Sequence, residues 1–171
     1  VSEIGLKPKE YILATVHRPY NTDVRENLYN ILTALAELEE QVVFPVHPRT
    51  RKQIIDFQLD NITNANPHIK FIEPVGYLDM LILEKYARII LTDSGGIQKE
   101  AFFFNVPCVT LRPETEWVET VECGMNILVG ADTQLILAAV KTHEFPDKTP
   151  SIFGDGAAAC KIVDILAQYK L

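Results

Sequence analysis

Six short runs of apolar and β-branched residues recur along this chain, each followed by a stretch with helical spacing, and that alternation most restricts the fold. Tyr11 to Val16, Val42 to Val46, Ile69 to Ile72, Arg88 to Leu91, Pro107 to Leu111 and Asn126 to Val129 read as strands. The sequence between predicts helices over Asn27 to Glu40, Arg49 to Leu59, Tyr77 to Tyr86, Gly96 to Phe104, Val118 to Cys123 and Thr133 to about His143. A last helix is expected from about Gly156 to Tyr169, an appendage after a proline-containing loop that can pack elsewhere. Leu28, Ile31, Leu32, Leu35 and Leu38 mark the inner face of the first helix, and Leu78, Leu81, Ile82 and Lys85 the repeat of the third. Gly124 is placed to stop the short helix before it. Strands that are short and apolar on both faces belong to a parallel sheet with helices on both sides. The expected fold class is therefore α/β, a Rossmann-like doubly wound parallel sheet of about six strands, with residues 1–171 as a single domain.

Composition narrows the partners. The 171 residues are 47% hydrophobic and 23% charged, with a net charge of −7, which speaks against broad contact with nucleic acid or an anionic membrane. No apolar run reaches transmembrane length and no signal peptide is legible, so the expected location is cytoplasmic. Cys108, Cys123 and Cys160 are odd in number and widely spaced, and read as reduced, buried thiols. The chain opens Val1-Ser2-Glu3 with no methionine, which suggests a piece of a longer polypeptide.

In a parallel sheet the segments that follow the strands share one rim, where ligands bind. Here they carry Thr15-Val16-His17-Arg18, Val46-His47-Pro48-Arg49, Glu73-Pro74-Val75-Gly76-Tyr77, Asp93-Ser94-Gly95-Gly96 and Arg112-Pro113-Glu114-Thr115-Glu116-Trp117. The fourth is the most informative. A strand ending in Ser94-Gly95-Gly96 and opening directly into a helix offers unpaired N–H groups and the positive end of the helix dipole to an anion. The two glycines let the backbone approach that anion closely. Glu100, four residues after Gly96, is placed to accept from vicinal hydroxyls such as those of a ribose. Each residue also has a plainer reading. Ser94 can be an ordinary N-cap, and Glu100 ordinary dipole compensation. His17 with Arg18 can anchor the next helix, His47 can cap a turn, and Arg112 can bridge Glu114 or Glu116. Trp117 can be packing, and Phe102, Phe103 and Phe104 the buried side of a helix end. The four histidines lack metal-ligand spacing, and Ser94 lacks the Gly-x-Ser-x-Gly elbow of a nucleophile.

Taken in order, His17-Arg18, Arg25-Glu26-Asn27, Pro45-Val46-His47-Pro48, Pro74 to Tyr77, Thr92-Asp93-Ser94-Gly95-Gly96-Ile97-Gln98-Lys99-Glu100 and Thr115-Glu116-Trp117-Val118-Glu119 closely resemble the C-terminal half of the non-hydrolysing UDP-N-acetylglucosamine 2-epimerases. The resemblance runs from about Tyr11 to Leu171. It implies one half of a GT-B architecture, in which two Rossmann-like domains face each other across a cleft. It also implies that Ser94, Gly95 and Gly96 bind a UDP diphosphate, that Glu100 binds the ribose, and that Val75 and Met80 border the uracil. His17 is then catalytic, assisting departure of UDP. Arg18, His47, Arg112 and Trp117 are further candidates, His47 at a regulatory second UDP-sugar site. No cofactor or metal is implied. The partners expected are a UDP-sugar and the missing N-terminal domain, whose lysine and carboxylates act at the sugar, in a homodimeric full-length enzyme. The isolated chain is then expected to bind UDP weakly without epimerising.

Two departures stand out. Trp117 occupies a position where many relatives carry arginine, with Arg112 as the candidate replacement. His17-Arg18 is also followed by Pro19-Tyr20-Asn21-Thr22-Asp23. The first points toward enzymes acting on modified UDP-sugars such as diacetamido-uronates. Another GT-B enzyme, a glycosyltransferase, would share the phosphate turn and ribose carboxylate, and a non-catalytic UDP-sugar sensor would bind without converting.

Overall fold

The alternation is realised as a single six-stranded parallel sheet in a computed structural model that describes residues 5–169. The strands are β1 (Tyr11–Thr15), β2 (Gln41–Pro45), β3 (Ile69–Ile72), β4 (Ile89–Thr92), β5 (Cys108–Thr110) and β6 (Asn126–Leu128), arranged β3-β2-β1-β4-β5-β6. Every neighbouring pair is parallel, including the central one, in which Leu13 faces Ile90 and Thr15 faces Thr92. The order turns back between β1 and β4, so crossovers leave in opposite directions and a crevice opens beyond their carboxyl ends.

The helices are α1 (Pro19–Thr22), α2 (Arg25–Glu37), α3 (Pro48–Asp56), α4 (Asp60–Asn64), α5 (Tyr77–Tyr86), α6 (Gly95–Phe103), α7 (Val118–Glu122), α8 (Thr133–Lys141) and α9 (Ala158–Gln168). Alternation along each strand divides the core in two. Ile12 and Ala14 face a layer with Leu28, Leu32 and Leu35 of α2 and Ile136 of α8. Tyr11 and Leu13 face the other, with Leu83 of α5 and Ala101 of α6. All five leucine and isoleucine positions expected on the first helix face are buried. Gly124 ends α7 at φ +78°, in the left-handed region that glycine adopts at least cost.

The structure corrects several expectations. The α5 face is not the one its leucines suggested. Leu78 is 72% exposed and Ile82 and Lys85 are also exposed, while Leu83, Glu84 and the following Ala87 turn inward. The helix is apolar nearly all the way round, so its spacing does not single out a face. Helices α1 and α4 were not expected. They are single turns, and the left-handed Gln58 (φ 55°) separates α4 from α3. Only Cys108 is buried; Cys123 is half-buried and Cys160 exposed. Burial pushes the Cys108 thiol up to about 12. Phe102 is buried but Phe103 is exposed, because consecutive helical residues lie about 100° apart and cannot share a face. All of α9 is exposed, as an appendage would be. No helix among the described residues is long and apolar enough to cross a membrane.

Candidate active site

Asp93 organises the crevice. It follows β4 at the switch point and is fully buried. A buried carboxylate is tolerated only when its lone pairs are satisfied. Here it accepts from the backbone N–H of His17 (3.0 and 3.1 Å to its two oxygens), the backbone N–H of Arg18 (2.9 Å) and Asn21 Nδ2 (3.0 Å). Asn21 Nδ2 also donates to the Leu111 carbonyl at 2.9 Å, tying the segment after β5 into the same knot. His17 Nδ1 lies 3.5 Å from Asp93 Oδ1, with the ring 38% exposed. The carboxylate thus fixes the β1–α1 turn and directs one imidazole nitrogen inward, leaving Nε2 for the crevice.

Ser94 is the N-cap of α6, and its Oγ accepts from the Ile97 N–H at 3.5 Å. Its own N–H donates to Thr92 Oγ1 at 3.0 Å, and Thr92 Oγ1 pairs with Thr15 Oγ1 at 2.6 Å. The turn is therefore held by side chains of both central strands. The glycines have different reasons. A Cβ on Gly95 would stand 3.2 Å from Glu116 Oε2 and 3.6 Å from Trp117 Nε1, so the fold itself needs glycine there. A Cβ on Gly96 would meet nothing closer than Ser94 Oγ at 3.8 Å, and Gly96 is exposed. Nothing among the described residues requires a glycine at 96, whose bare backbone faces open space beside the cap.

A cleft of ≈ 500 Å³, open to solvent, lies next to this turn. His17, His47, Val75 and Met80 line it together with Pro74 and Ile97. The two imidazoles are 6.3 Å apart, centre to centre. His47 also caps α3: its Nδ1 accepts from the Arg49 N–H at 3.2 Å, so the capping reading holds for that nitrogen. Glu100 lies in the second turn of α6, and no acidic residue occupies the first, which removes the dipole-compensation reading. Tyr77 Oη donates to its Oε1 at 3.0 Å across the α5–α6 groove.

Arg18, Arg112 and Trp117 lie outside this cleft. Arg18 and Arg112 line a separate hollow with Pro19, Tyr20, Pro113 and Glu114. Arg112 is committed to a two-pronged ion pair with Glu116 (3.0 and 3.1 Å), and its guanidinium holds the Glu116 carboxyl below the usual carboxylate range. Trp117 Nε1 donates to the Gly95 carbonyl at 2.7 Å. Its ring stacks edge-on with Phe153 (6.1 Å), and Lys99 Nζ sits 4.0 Å from the Trp117 ring and 4.6 Å from that of Phe153. Trp117 therefore pins the loop after α8 to the start of α6, the packing role its plainer reading gave it. The roles of Asp93, Asn21 and Tyr77 were not read from sequence. Asp93 stood within the Thr92–Glu100 string, but only the fold shows that it faces the β1 turn.

The family model described as UDP-N-acetylglucosamine 2-epimerase matches residues 1–167. The chain belongs to that family. A UDP-N-acetylglucosamine 2-epimerase homolog of Methanococcus maripaludis is 50% identical over 97% of this chain and 47% of its own length. The UDP-2,3-diacetamido-2,3-dideoxy-D-glucuronate 2-epimerase of Pseudomonas aeruginosa is 43% identical over 98% of this chain and 47% of its own. Among solved structures, the Methanocaldococcus jannaschii UDP-GlcNAc 2-epimerase in complex with UDP-GlcNAc and UDP superposes with a TM-score of 0.85 at 43% identity. That match covers 95% of this chain and 46% of the other. The chain thus spans about half the length of the epimerase-family relatives it matches.

Proposed function

We propose that this chain is the UDP-binding, C-terminal half of an enzyme that interconverts UDP-N-acetylglucosamine and UDP-N-acetylmannosamine. The observation that carries the reading is the Gly96 turn. At position 96 this helix N-terminus presents an exposed backbone with no steric need for glycine, beside an apolar cleft with a carboxylate-anchored histidine. The diphosphate takes the N–H groups of Gly95 and Gly96 and a hydrogen bond from the Ser94 hydroxyl, whose own N–H is held by Thr92 Oγ1; Glu100 takes the ribose hydroxyls, and Val75 and Met80 border the base. Arg112 and Trp117 serve the fold beside this site, and Arg18 stands at its edge.

In the reaction, a base removes the proton at C2 while the C1–O bond breaks, the electron pair leaving with UDP and a 2-acetamidoglucal remaining. UDP then re-adds at C1 as a proton arrives on the opposite face of C2. Donors already aimed at the leaving diphosphate stabilise its developing charge. In this reading His17 Nε2 donates to it, and the Asp93 contact at Nδ1 supports that orientation. The groups acting at C2 belong to the other half of the enzyme, a cytoplasmic homodimer in this reading, so this chain alone is inactive. The substrate is read as UDP-N-acetylglucosamine because the matched family model and the relatives named for that sugar agree; the diacetamido-uronate enzyme is the second reading.

The test is titration with UDP, following backbone amides by NMR. Shifts of Ser94, Gly95, Gly96 and Glu100 at sub-millimolar to millimolar UDP are expected, and unmoved amides in a folded protein refute the site. Full-length enzyme in deuterated water should incorporate solvent deuterium at C2 of the recovered UDP-sugar. A glycosyltransferase would not do so.

A further inference from the structure

One buried acid has no task in the reaction just described. Glu84, on the inner face of α5, is fully buried, and no hydrogen-bond donor among the described residues reaches either carboxylate oxygen. A glutamate in that state is costly unless it is neutral or shares a proton with a neighbour. The titratable groups bearing on it are few. Glu100 acts from α6, packed directly against α5, and Cys108 from β5. Tyr77 acts from the start of its own helix, and the Tyr11 hydroxyl donates to the adjacent Leu83 carbonyl at 2.5 Å. None of these is a cation. Glu100 is also the carboxylate that already accepts from Tyr77 Oη on one oxygen.

We propose that Glu84 is a positioning residue which, as a neutral acid, donates its proton to the Glu100 carboxylate and, with the Tyr77 hydroxyl, holds that carboxylate in the orientation that receives a ribose. The inference rests on the reading of Glu100 as the ribose ligand. Two donors on one carboxylate fix its plane and leave its remaining lone pairs for a ligand. Deprotonation of Glu84 removes one donor and sets a second negative charge against Glu100, so the oriented carboxylate is lost. Burial first, and the Glu100 charge next, push the Glu84 carboxyl up to about 8, which puts that event in the mildly alkaline range. If only the protonated form is competent, affinity for UDP falls about sevenfold between pH 7.0 and 8.8, in proportion to the competent fraction.

The experiment is a calorimetric titration of the protein with UDP at several pH values from 7.0 to 8.8, repeated for Glu84→Gln, Glu84→Leu and Glu100→Gln. Glutamine keeps a donor that cannot ionise, so Glu84→Gln should show a flat profile over this range. Leucine keeps the volume without the donor, so Glu84→Leu should bind several-fold more weakly than wild type at pH 7.0, again without the alkaline fall. Glu100→Gln should bind weakly throughout. Should UDP fail to bind the wild-type protein, or bind Glu100→Gln as well as wild type, the ribose assignment fails and the proposal with it. Should Glu100→Gln lose affinity while Glu84→Gln keeps the wild-type alkaline fall, or the wild type shows none, the assignment stands and the role of Glu84 is overturned. If the Glu84 variants do not fold, a carbon-detected NMR titration of the wild-type Glu84 carboxyl decides: a midpoint in the ordinary glutamate range refutes the proposal.

Discussion

Replacing Asp93 by alanine removes one carboxylate and leaves the N–H groups of His17 and Arg18 and one Asn21 amide proton without their partner. A buried donor left unsatisfied costs about 1–3 kcal/mol, so with three of them Asp93→Ala should lose at least about 3 kcal/mol in urea unfolding. Asp93→Asn should cost less, because one amide oxygen still accepts, but its NH2 group faces backbone N–H donors. A loss below about 1 kcal/mol for the alanine variant would mean that the knot carries little of the fold. The residue scale is also where sequence reading was thinnest. His17, Ser94 and Glu100 were identifiable because their types and neighbours form a string. Asp93 and Glu84 were not, since a carboxylate's meaning depends on what surrounds it in space. Glu84 sits between Leu83 and Lys85 in a helix whose hydrophobic pattern pointed to another face.

At the scale of elements, α6 separates folding from binding. Gly95 is required by Glu116 and Trp117, whereas Gly96 has room for a methyl group. Glycine inside a helix is destabilising by roughly 0.5–1 kcal/mol relative to alanine. Gly96→Ala should therefore keep or slightly raise the melting temperature while weakening UDP binding at least tenfold; unchanged UDP affinity would place the ligand elsewhere. Trp117 joins α6 to the loop after α8 through its N–H and its ring. Trp117→Phe keeps the ring contact and loses one hydrogen bond, a cost of about 0.5–1.5 kcal/mol. Its signature should be faster amide exchange around Phe153, seen by hydrogen–deuterium exchange, with β1 to β4 unchanged. The order of elements and most of their ends were legible, because strands and helices write different periods into a chain. The single-turn α1 and α4 were not, since four or five residues are too few to show a period.

Across the whole molecule, the buried Glu84 predicts a pH dependence of stability. Its folded value, about 8, lies above the ordinary value of 4.5, so the folded state holds a proton that the unfolded state has released between those limits. This group's contribution is most favourable below about pH 4.5 and declines as pH rises to about 8, at up to about 1.4 kcal/mol per pH unit. The stability of Glu84→Gln minus that of wild type should therefore grow from pH 5 to pH 8, measured by urea unfolding at each pH. A difference that stays constant would show that Glu84 is not protonated in the fold. Helix α9 makes the opposite prediction. With Ile162, Val163, Ile165 and Leu166 all exposed, deleting residues 157–171 should leave the melting temperature of the remaining chain within about 2 °C. A larger drop would mean that α9 packs on the sheet.

Local chemistry alone determined the alternation of strands and helices, the parallel sheet and the Ser94–Gly96 turn, because periodicity and turn residues act within a few positions of one another, while the order of motifs from His17 to Glu119 carried the resemblance to a nucleotide-sugar family. Only the tertiary structure decided which carboxylates face which partners. Sheet order brings Asp93 beneath His17, 76 residues away in sequence, and α5 against α6 brings Glu84 toward Glu100. Whether a charge there is satisfied, shared or unpaired depends on what reaches it through space.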